Sequence, residues 1–238
     1  MLSRKTRGNF GLVNDVSFIL HCVASTSFKN EAIAVLTNVQ GVKNILDLAE
    51  AVKVRDLRHV STAYIAGDAR EFSENELYVQ QSLPNKYASS KLTGETMVGA
   101  WGARDGRVYT VFRPSILVGC EDGTTRHFHA GHGYMQPYYN IAESMRSLFE
   151  TGKPLPKEVS VGSDGFVNIP LVVRMSNTST PNLVTSDWLA DMMVALLSVS
   201  PRNETYHLVH PKPPRVRVAL DISLHYLNMG GVKVVETK

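Results

Sequence analysis

Tyr87 and Lys91 lie four residues apart in the stretch NKYASSKLTGE, residues 85–95. On a helix this spacing places a phenol and an ammonium group on the same face, one turn apart. A phenol beside a cation can give up and take back a proton, so the pair could serve general acid/base chemistry. The chain has nine tyrosines, however, and such a pair also arises by chance on a solvated helix face, so its surroundings must decide.

A second group suited to proton chemistry precedes this helix. Ser61 and Thr62 end the stretch LRHVST, residues 57–62, which is typical of a short buried strand. The carboxyl end of a parallel strand faces the ligand crevice, so the Thr62 hydroxyl is expected near Tyr87 and Lys91. Thr62 would orient a carbonyl oxygen and the phenol would protonate it, with the ammonium lowering the phenol pKa from its usual value of about 10.

The elements that must position these groups alternate between strands and helices. Three short apolar segments predict strands, and two segments with apolar residues at helical spacing predict helices. The strands are Val16–Ala24, Leu57–Thr62 and Val108–Phe112, and the helices are Glu31–Lys53 and Tyr87–Ala103, the latter capped by Asn85. This order is the signature of an α/β fold with a Rossmann-like, doubly wound parallel sheet.

The second half of the chain has a looser pattern. It predicts helices at Ile141–Thr151, Asp187–Ser198 and Val218–Met229 and strands at Leu183–Thr185 and Thr205–Val209. Asp187 is expected as the N-cap of its helix.

Composition excludes several classes of protein. The formal net charge is +3 over 238 residues with no long basic run, which argues against nucleic-acid binding. The two cysteines give no disulfide framework, so a cytoplasmic location is expected, and Cys22 is expected as a small core residue rather than a nucleophile. No apolar run approaches the length of about 18 residues that predicts a membrane span.

Several segments together resemble one family. HVSTAYIAG is similar to a strand that carries an active-site Ser/Thr, NKYASSKLTGE to a Tyr-x-x-x-Lys helix, and FRPSILVG to a strand and turn beside a nicotinamide. HCVASTSF, TNVQGVKNIL, LVTSDWLADMMVAL and YHLVHPKP fit the same series in chain order. They resemble the extended short-chain dehydrogenases/reductases of the NAD-dependent epimerase/dehydratase superfamily. Within it, the chain is most similar to the thioester-reductase-like branch, which includes fatty acyl-CoA reductases of the male-sterility type and carrier-protein reductase domains.

The resemblance implies a role for each matching residue. Tyr87 would be the general acid/base, Lys91 would bind the nicotinamide ribose, Thr62 would hold the substrate carbonyl with Ser61 as the alternative, and Asn38 would support a proton relay. The implied cofactor is NADP or NAD, with NADPH favoured. Its implied contacts, besides Ser61, Tyr87 and Lys91, are Cys22, Val23, Ala24, Arg113, Pro114 and Ser115.

The substrate side is implied less sharply. Tyr64, His127, Phe128 and Tyr134 are expected to contact the substrate, and Tyr138 and Tyr139 either line an acyl or pantetheine channel or simply pack. The histidines of RHFHAGHGY, His127, His129 and His132, could hold zinc, but a substrate-side loop is the favoured interpretation, and no metal is expected. Asn38 could also be an ordinary surface position of its helix.

The family's glycine-rich turn, which binds the cofactor diphosphate, has no counterpart among the matching segments. We therefore expect an N-terminally incomplete Rossmann-like sheet in residues 1–118, a partial NAD(P)-binding domain with the catalytic helix. Residues 119–238 would form a mainly substrate-binding α/β portion, interleaved with that core. Val16–Ala24 would be an exposed edge strand, open to a homodimer or another partner, and NADPH binding by this chain alone would be weak or absent.

Three functions follow from these expectations. The first is an NAD(P)H-dependent oxidoreductase that reduces an acyl thioester, on CoA or a carrier protein, or the derived aldehyde. The second is a sugar-nucleotide epimerase or dehydratase, which shares the Tyr, Lys and Ser/Thr. The third is a non-catalytic remnant or binding protein of the same fold. A glycine-rich turn supplied upstream would favour an enzyme over the remnant.

Overall fold

The computed structural model describes residues 16–27, 30–104, 106–120, 132–176, 178–199 and 203–237, without the side chains of residues 132–136. The strands are β1 Phe18–His21, β2 Asp56–Val60, β3 Val108–Pro114, β4 Ile116–Leu117, β5 Ser160–Val161, β6 Val167–Asn168, β7 Val172–Met175, β8 Leu183–Val184, β9 Glu204–Leu208, β10 Met229–Gly230 and β11 Lys233–Glu236. The helices are α1 Glu31–Val35, α2 Gly41–Ala51, α3 Lys86–Gly102, α4 His132–Glu150, α5 Ser186–Leu197 and α6 Val216–Tyr226.

A four-stranded parallel sheet in the order β1-β2-β3-β9 forms the centre of the first of two compact units. All three strand pairs are parallel, so every carboxyl end lies at the same edge of the sheet. This unit holds the described residues up to Ser115 together with Leu189–Val209. The sheet confirms the predicted α/β fold class, since parallel strands joined by helices define the Rossmann-like architecture.

The predicted helix Glu31–Lys53 is present but is not a regular α-helix throughout. α1 and α2 are joined by a π-helical segment at Leu36–Gln40. Asn38 lies in the middle of this segment, buried, with its side chain bonded outside the helix. Such π-turns are rare and occur most often at functional sites, and residue spacing alone does not reveal them.

The core of the first unit lies between the sheet and the helices α2 and α3. It is built from Val42, Ala49, Leu57, Val98, Trp101 and Val111. Asn85 caps α3 as predicted, because its Oδ1 accepts a hydrogen bond from the Ala88 amide at 2.9 Å. The cap fixes where the helix begins, and hence which turn of it carries Tyr87.

The second unit comprises the described residues of 116–188 and 210–237. β4 pairs with β8, β7 with β11, and β5, β6 and β10 form a three-stranded sheet. Its core consists of Ala142, Val161, Val167, Leu220, Leu224, Leu227 and Met229. α4 begins at His132 rather than at Ile141 and continues through Pro137, a residue that predicts a break. Of the two-residue strands, β8 was predicted, as Leu183–Thr185, and the others were not, because they are too short to show alternation.

No described helix is both long enough and apolar enough to cross a membrane.

Gly94 marks the closest approach between α3 and the π-helical segment. A Cβ at this position would lie 2.9 Å from the Asn38 carbonyl oxygen and 3.1 Å from Val42 Cγ2. We expect Gly94→Ala to lower the free energy of unfolding by about 1–3 kcal/mol, because the backbone would have to move apart. Chemical denaturation measures this loss.

Gly99 on the same helix provides the matched control for Gly94. Apart from its chain neighbours and the backbone of its own helix, no described atom lies within 4 Å of the place its Cβ would take. Gly99→Ala is expected to raise the free energy of unfolding by about 0.5–1 kcal/mol, through helix propensity alone. Equal effects of the two substitutions would contradict the close contact at Gly94.

Candidate functional site

The Tyr87–Lys91 pair faces the sheet rather than solvent. The Lys91 side chain is 2% exposed, and its Nζ donates a hydrogen bond of 2.6 Å to the backbone carbonyl of Val60, the last residue of β2. Tyr87 lies one turn earlier on α3 and is half-buried. The sequence places this pair at the carboxyl edge of the parallel sheet, where such folds bind ligands.

Thr62 meets Tyr87 at this edge, as its position after β2 predicts. The Thr62 hydroxyl is hydrogen-bonded to the Tyr87 phenol. It also accepts a hydrogen bond of 3.2 Å from the backbone amide of Tyr64, and this bond caps the short 3-10 turn Ala63–Ala66. The cap bond holds the Thr62 side chain in one orientation. The Thr62 hydroxyl therefore stays beside the Tyr87 phenol.

The ionisation of the pair differs from the sequence-based expectation. Burial raises the pKa of Tyr87 above its usual value, and the hydrogen bond from Thr62 opposes that rise. Burial lowers the pKa of Lys91 to about 8, opposed by the carboxylate of Glu95. The expected lowering of the Tyr87 pKa by Lys91 is therefore wrong for the chain without cofactor. Burial has the larger effect on the phenol, and the Lys91 ammonium is hydrogen-bonded to the Val60 carbonyl.

Asn38 is not a surface position but joins three parts of the site. Its Nδ2 donates to Ser90 Oγ on α3 at 2.9 Å and to the backbone carbonyl of Ser25 at 3.0 Å. Its Oδ1 accepts a hydrogen bond of 2.7 Å from the backbone amide of Ser25. The side chain thus holds the segment after β1 against the helix that carries Tyr87, and its predicted part in a proton relay stays a prediction.

The side chain of Arg113 holds the loop that follows Tyr64. Its guanidinium, 1% exposed, forms an ion pair with Glu95 at 2.7 Å and donates to the carbonyl oxygens of Ser73 and Glu76. Because the guanidinium is buried and bound by Glu95 and two loop carbonyls, a cofactor contact of Arg113 would fall to its backbone. Glu95 had no predicted role, although its spacing from Tyr87 and Lys91 puts all three on one helix face.

Two buried serine hydroxyls lie at the same edge of the sheet. Ser61 Oγ follows β2 and Ser115 Oγ follows β3, and neither has a hydrogen-bond partner among the described residues. Pro114, between Arg113 and Ser115, is buried and its carbonyl lies 3.5 Å from Thr62 Oγ. Buried hydroxyls without partners are uncommon, and here they border the predicted nicotinamide pocket.

The segment after β1 lies open at the end of the sheet. Cys22 is exposed, so its expected place in the core is wrong, and Val23 is 66% exposed while Ala24 is half-buried. Among the described residues β1 pairs with β2 alone. The exposed apolar side chains of Phe18 and Leu20 follow from this edge position.

A cavity of about 420 Å³ lies against the 3-10 turn that follows Thr62. It is lined by Ala63, Tyr64, Gly67, Asp68, Ser82, Leu83 and Pro84. Gly67 has a φ of 57°, and a Cβ there would lie 2.2 Å from the Ser82 carbonyl oxygen, so the turn at the cavity wall requires glycine. The predicted substrate contact at Tyr64 lies in this wall.

The remaining predicted substrate residues cannot be placed. His127 and Phe128 lie outside the described residues, as does His129, and the side chains of His132 and Tyr134 are not described. Tyr138 packs against the core of the second unit, and Tyr139 is exposed. Within the described part of the chain, no three His, Cys, Asp or Glu side chains cluster as metal ligands.

The site fits one end of a nicotinamide dinucleotide. Tyr87, Lys91 and the free hydroxyls of Ser61 and Ser115 supply donors and acceptors for a ribose and a carboxamide. The diphosphate end is different, because no described strand is followed by a glycine-rich turn and a helix N-terminus. The described residues therefore offer polar groups that could hold the nicotinamide end, and no glycine-rich clamp for a diphosphate lies among them.

Comparison with known proteins gives a family match. A profile of the family described as male sterility protein, a family of NAD-binding domains, matches residues 5–163. No curated protein sequence matches the chain.

Many solved structures share the fold, and three show its range. The terminal R domain of the myxalamid PKS-NRPS pathway is 22% identical with a TM-score of 0.65, covering 94% of this chain and 50% of that one. RMD from Pseudomonas aeruginosa, solved with NADPH, is 18% identical with a TM-score of 0.60, covering 94% and 70%. A dTDP-glucose 4,6-dehydratase double mutant from Streptomyces venezuelae, solved with NAD, is 19% identical with a TM-score of 0.63, covering 95% and 63%.

These identities show a shared fold and do not decide between reductase and dehydratase. The chain spans 50% to 70% of the length of the three structures.

Proposed function

Because this chain belongs to the male sterility protein family of NAD-binding, extended short-chain dehydrogenases/reductases, we propose that it is an NAD(P)H-dependent carbonyl reductase. Its substrate would be an acyl thioester on CoA or a carrier protein, or the aldehyde derived from it. NADPH is the favoured cofactor. The match of the thioester-reductase-like motifs and the fold shared with the myxalamid R domain support this choice.

The proposal rests mainly on the contact between Thr62 and Tyr87, one helical turn from the buried Lys91. The Thr62 hydroxyl and the Tyr87 phenol are hydrogen-bonded to each other, so one carbonyl oxygen can reach both. Lys91 lies one turn away, with its Nζ held by Val60 at the end of the same strand. Two donors that converge on one oxygen are what carbonyl reduction requires of a protein.

Each residue has a separate part in the reaction. Thr62 donates a hydrogen bond that orients the carbonyl oxygen, and Tyr87 donates a proton to that oxygen as negative charge develops on it. A reduced nicotinamide, when bound, supplies hydride to the carbonyl carbon. Lys91 binds the nicotinamide ribose, and its charge favours the phenolate that remains after proton transfer. Asn38 keeps the segment after β1 in place beside them.

The cavity lined by Ala63 and Tyr64 is the proposed binding place of the acyl group or its pantetheine arm. Its wall combines the apolar side chains of Tyr64, Leu83 and Pro84 with the polar Asp68 and Ser82. An extended thioester has apolar and amide parts that match such a lining. Tyr64 is 43% exposed and would be the first side chain to contact it.

Substrate-dependent oxidation of the cofactor tests the proposal. The full chain would be assayed with NADPH or NADH at up to about 1 mM, the upper end of ordinary KM values, because no glycine-rich clamp for the diphosphate lies among the described residues. Separate reactions would contain octanoyl-CoA, octanoyl-pantetheine, octanal and UDP-glucose. We expect oxidation with the thioesters or the aldehyde and none with the nucleotide sugar.

Two other outcomes would replace the proposal. Conversion of the nucleotide sugar without net oxidation of the cofactor would favour an epimerase or dehydratase. Binding of NADPH, measured by calorimetry, with no turnover of any of the four compounds would favour a binding protein of the same fold. The aldehyde and thioester reactions together show whether reduction stops at the aldehyde.

A further inference from the structure

A long loop without helix or strand forms most of the wall of the cavity. Residues 67–84, here called the cavity loop, connect the 3-10 turn Ala63–Ala66 to the start of α3. The two ends of the loop line the cavity through Gly67, Asp68, Ser82, Leu83 and Pro84. Long loops in compact folds are usually functional, and without regular backbone pairing their position depends on individual contacts.

Hydrogen bonds join the two ends of the cavity loop. The Asp68 amide donates to the Ser82 carbonyl at 3.2 Å, and the Ser82 amide donates to Asp68 Oδ1 at 2.6 Å. Gln81 is 8% exposed, and its Nε2 donates to the carbonyls of Ile65 and Leu77 at 3.0 and 3.2 Å. These bonds close the base of the loop, so the contacts of its middle part decide how it lies against the sheet.

The middle part of the cavity loop is bound by Arg113 of β3. Its Nη1 donates to the Ser73 carbonyl at 3.2 Å, and its Nη2 donates to the Glu76 carbonyl at 2.7 Å. Its Nε and Nη2 also donate to Glu95 of α3, and the guanidinium carbon lies 4.9 Å from the centre of the Phe72 ring. One buried cation therefore connects the cavity loop to both the sheet and α3.

His207 of β9 contacts the same guanidinium. Its Nε2 lies 3.0 Å from Arg113 Nη1, and its ring is stacked on Phe72 with centroids 6.0 Å apart. Its backbone amide donates to Glu74 of the cavity loop at 2.6 Å. A guanidinium has N–H donors and no acceptor, so His207 Nε2 must accept the bond. The His207 ring is therefore neutral, with its proton on Nδ1.

The groups around His207 determine how it responds to acid. Burial lowers the pKa of His207 below its usual value of 6.5, and so does the charge of Arg113, while Glu74 of the cavity loop and Glu95 of α3 oppose the shift. Protonation would remove the lone pair that accepts the hydrogen bond from Arg113, and it would place a second cation beside the guanidinium. The contact between His207 and Arg113 therefore requires a pH above the pKa of His207.

We propose that Arg113 and His207 are positioning residues that hold the cavity loop where it shapes the substrate cavity, and that protonation of His207 releases the loop. The effect falls on the substrate side, since none of the predicted cofactor contacts lies in the cavity loop. It gives a role to His207 of the motif YHLVHPKP, which had no predicted one. This inference rests on the proposed function, in which the cavity binds the acyl group or its pantetheine arm.

Two measurements on the full chain test the proposal without any substrate. In protein labelled with 15N-histidine, with His207→Gln to assign the signal, we expect His207 to be neutral with its proton on Nδ1 at about pH 7. Hydrogen exchange, corrected for intrinsic rates, should show about tenfold lower protection of residues 67–84 in His207→Leu than in wild type, the factor typical of a lost hydrogen bond to a charged group. Wild type should lose the same protection when the pH falls below the His207 pKa.

His207→Gln is the conservative variant, because its Oε1 can accept the hydrogen bond from Arg113 and does not titrate. It should keep the protection of the cavity loop at neutral and at acidic pH, which a purely packing role of His207 would not predict. An Nε2–H tautomer, unchanged protection in His207→Leu, or equal acid sensitivity of wild type and His207→Gln would each overturn the proposal. If His207→Leu does not fold, the comparison of wild type with His207→Gln decides.

The partners of His207 provide further variants and a matched control. Glu74→Ala removes the acceptor of the His207 amide and should lower the protection of the cavity loop, whereas Glu71→Ala, at an exposed position of the same loop, should not. Arg113→Lys keeps a cation beside Glu95 but loses the forked donors, so it should lower this protection as well. A loss of protection in α2 as large as that in the cavity loop would indicate a general role in folding and would overturn the proposal.

The outcome can be separated from that of the proposed function. Exchange and resonance need no turnover, so an inactive chain with the expected loop protection would overturn only the reductase proposal. An active chain whose loop protection does not depend on His207 would overturn only the positioning role. When both hold, His207→Leu should raise the KM for the substrate about tenfold, with kcat and the KM for NADPH close to wild type.

Discussion

Tyr87→Phe is expected to lower the kcat of carbonyl reduction by a factor of about 100 or more, because general acid catalysis by a positioned side chain typically contributes that much. The substitution removes one hydroxyl and keeps the ring that fills the half-buried site on α3. Thr62 still orients the carbonyl oxygen through its own hydrogen bond, so KM should change far less than kcat. The measurement is steady-state oxidation of NADPH with the best thioester or aldehyde.

The control for this substitution is Tyr78→Phe. Tyr78 is 71% exposed in the loop after Tyr64, so removal of its hydroxyl should leave kcat and KM unchanged. Thermal unfolding of both variants should lie close to wild type, since neither loses ring packing. Equal turnover by Tyr87→Phe and wild type would contradict the role of Tyr87 as the acid, whatever the substrate.

The fold could be predicted from the first half of the chain because its strands are compact apolar runs and α3 is a long, capped helix. The strands β2 and β3 and the helix α3 were predicted within two residues at each end, and Asn85 caps α3 as expected. The π-helical segment Leu36–Gln40 could not be predicted, because it depends on hydrogen bonds that Asn38 makes with Ser25 and Ser90, distant in the sequence. Local spacing carries no information on such contacts.

The site was predictable where a residue follows directly from the end of a strand or the start of a helix. Thr62 and Tyr87 met as expected for that reason. Ionisation was not predictable, since it depends on burial: Lys91 is held at the Val60 carbonyl, and Tyr87 is shifted in the direction opposite to the expectation. The inward side chain of Arg113 likewise depends on Glu95 and on the loop carbonyls, which sequence order does not reveal.

A buried charge at Lys91 implies that function and stability oppose each other at this position. Its pKa of about 8 in the folded chain lies below the value of 10.5 for an exposed lysine. Below the lower value, the folded chain carries the charge at a cost. Between the two values the unfolded chain binds one more proton than the folded chain, so this cost decreases and the free energy of unfolding rises with pH.

Lys91→Met is therefore expected to stabilise the protein while it removes activity. The shift corresponds to about 3 kcal/mol at pH values below the lower pKa, and loss of the hydrogen bond to the Val60 carbonyl returns about 1 kcal/mol of it. A net gain of about 1–2 kcal/mol at neutral pH should shrink as the pH approaches 10.5, the reference value for lysine. Turnover should fall by a factor of about 100 or more, because both the ribose contact and the charge beside Tyr87 are lost.

Lys43→Met separates this effect from the loss of any lysine. The Lys43 side chain is 56% exposed on α2 and pairs with Asp47. Its replacement should change the free energy of unfolding by less than about 0.5 kcal/mol, with no loss of turnover. Chemical denaturation of wild type, Lys91→Met and Lys43→Met measures these free energies of unfolding. It would be done at neutral pH and at a pH close to the reference pKa of lysine. If Lys91→Met were less stable than wild type at both pH values, Lys91 would be a structural residue. Burial of its charge would then not lower the free energy of unfolding, and this sign of a functional residue would be missing.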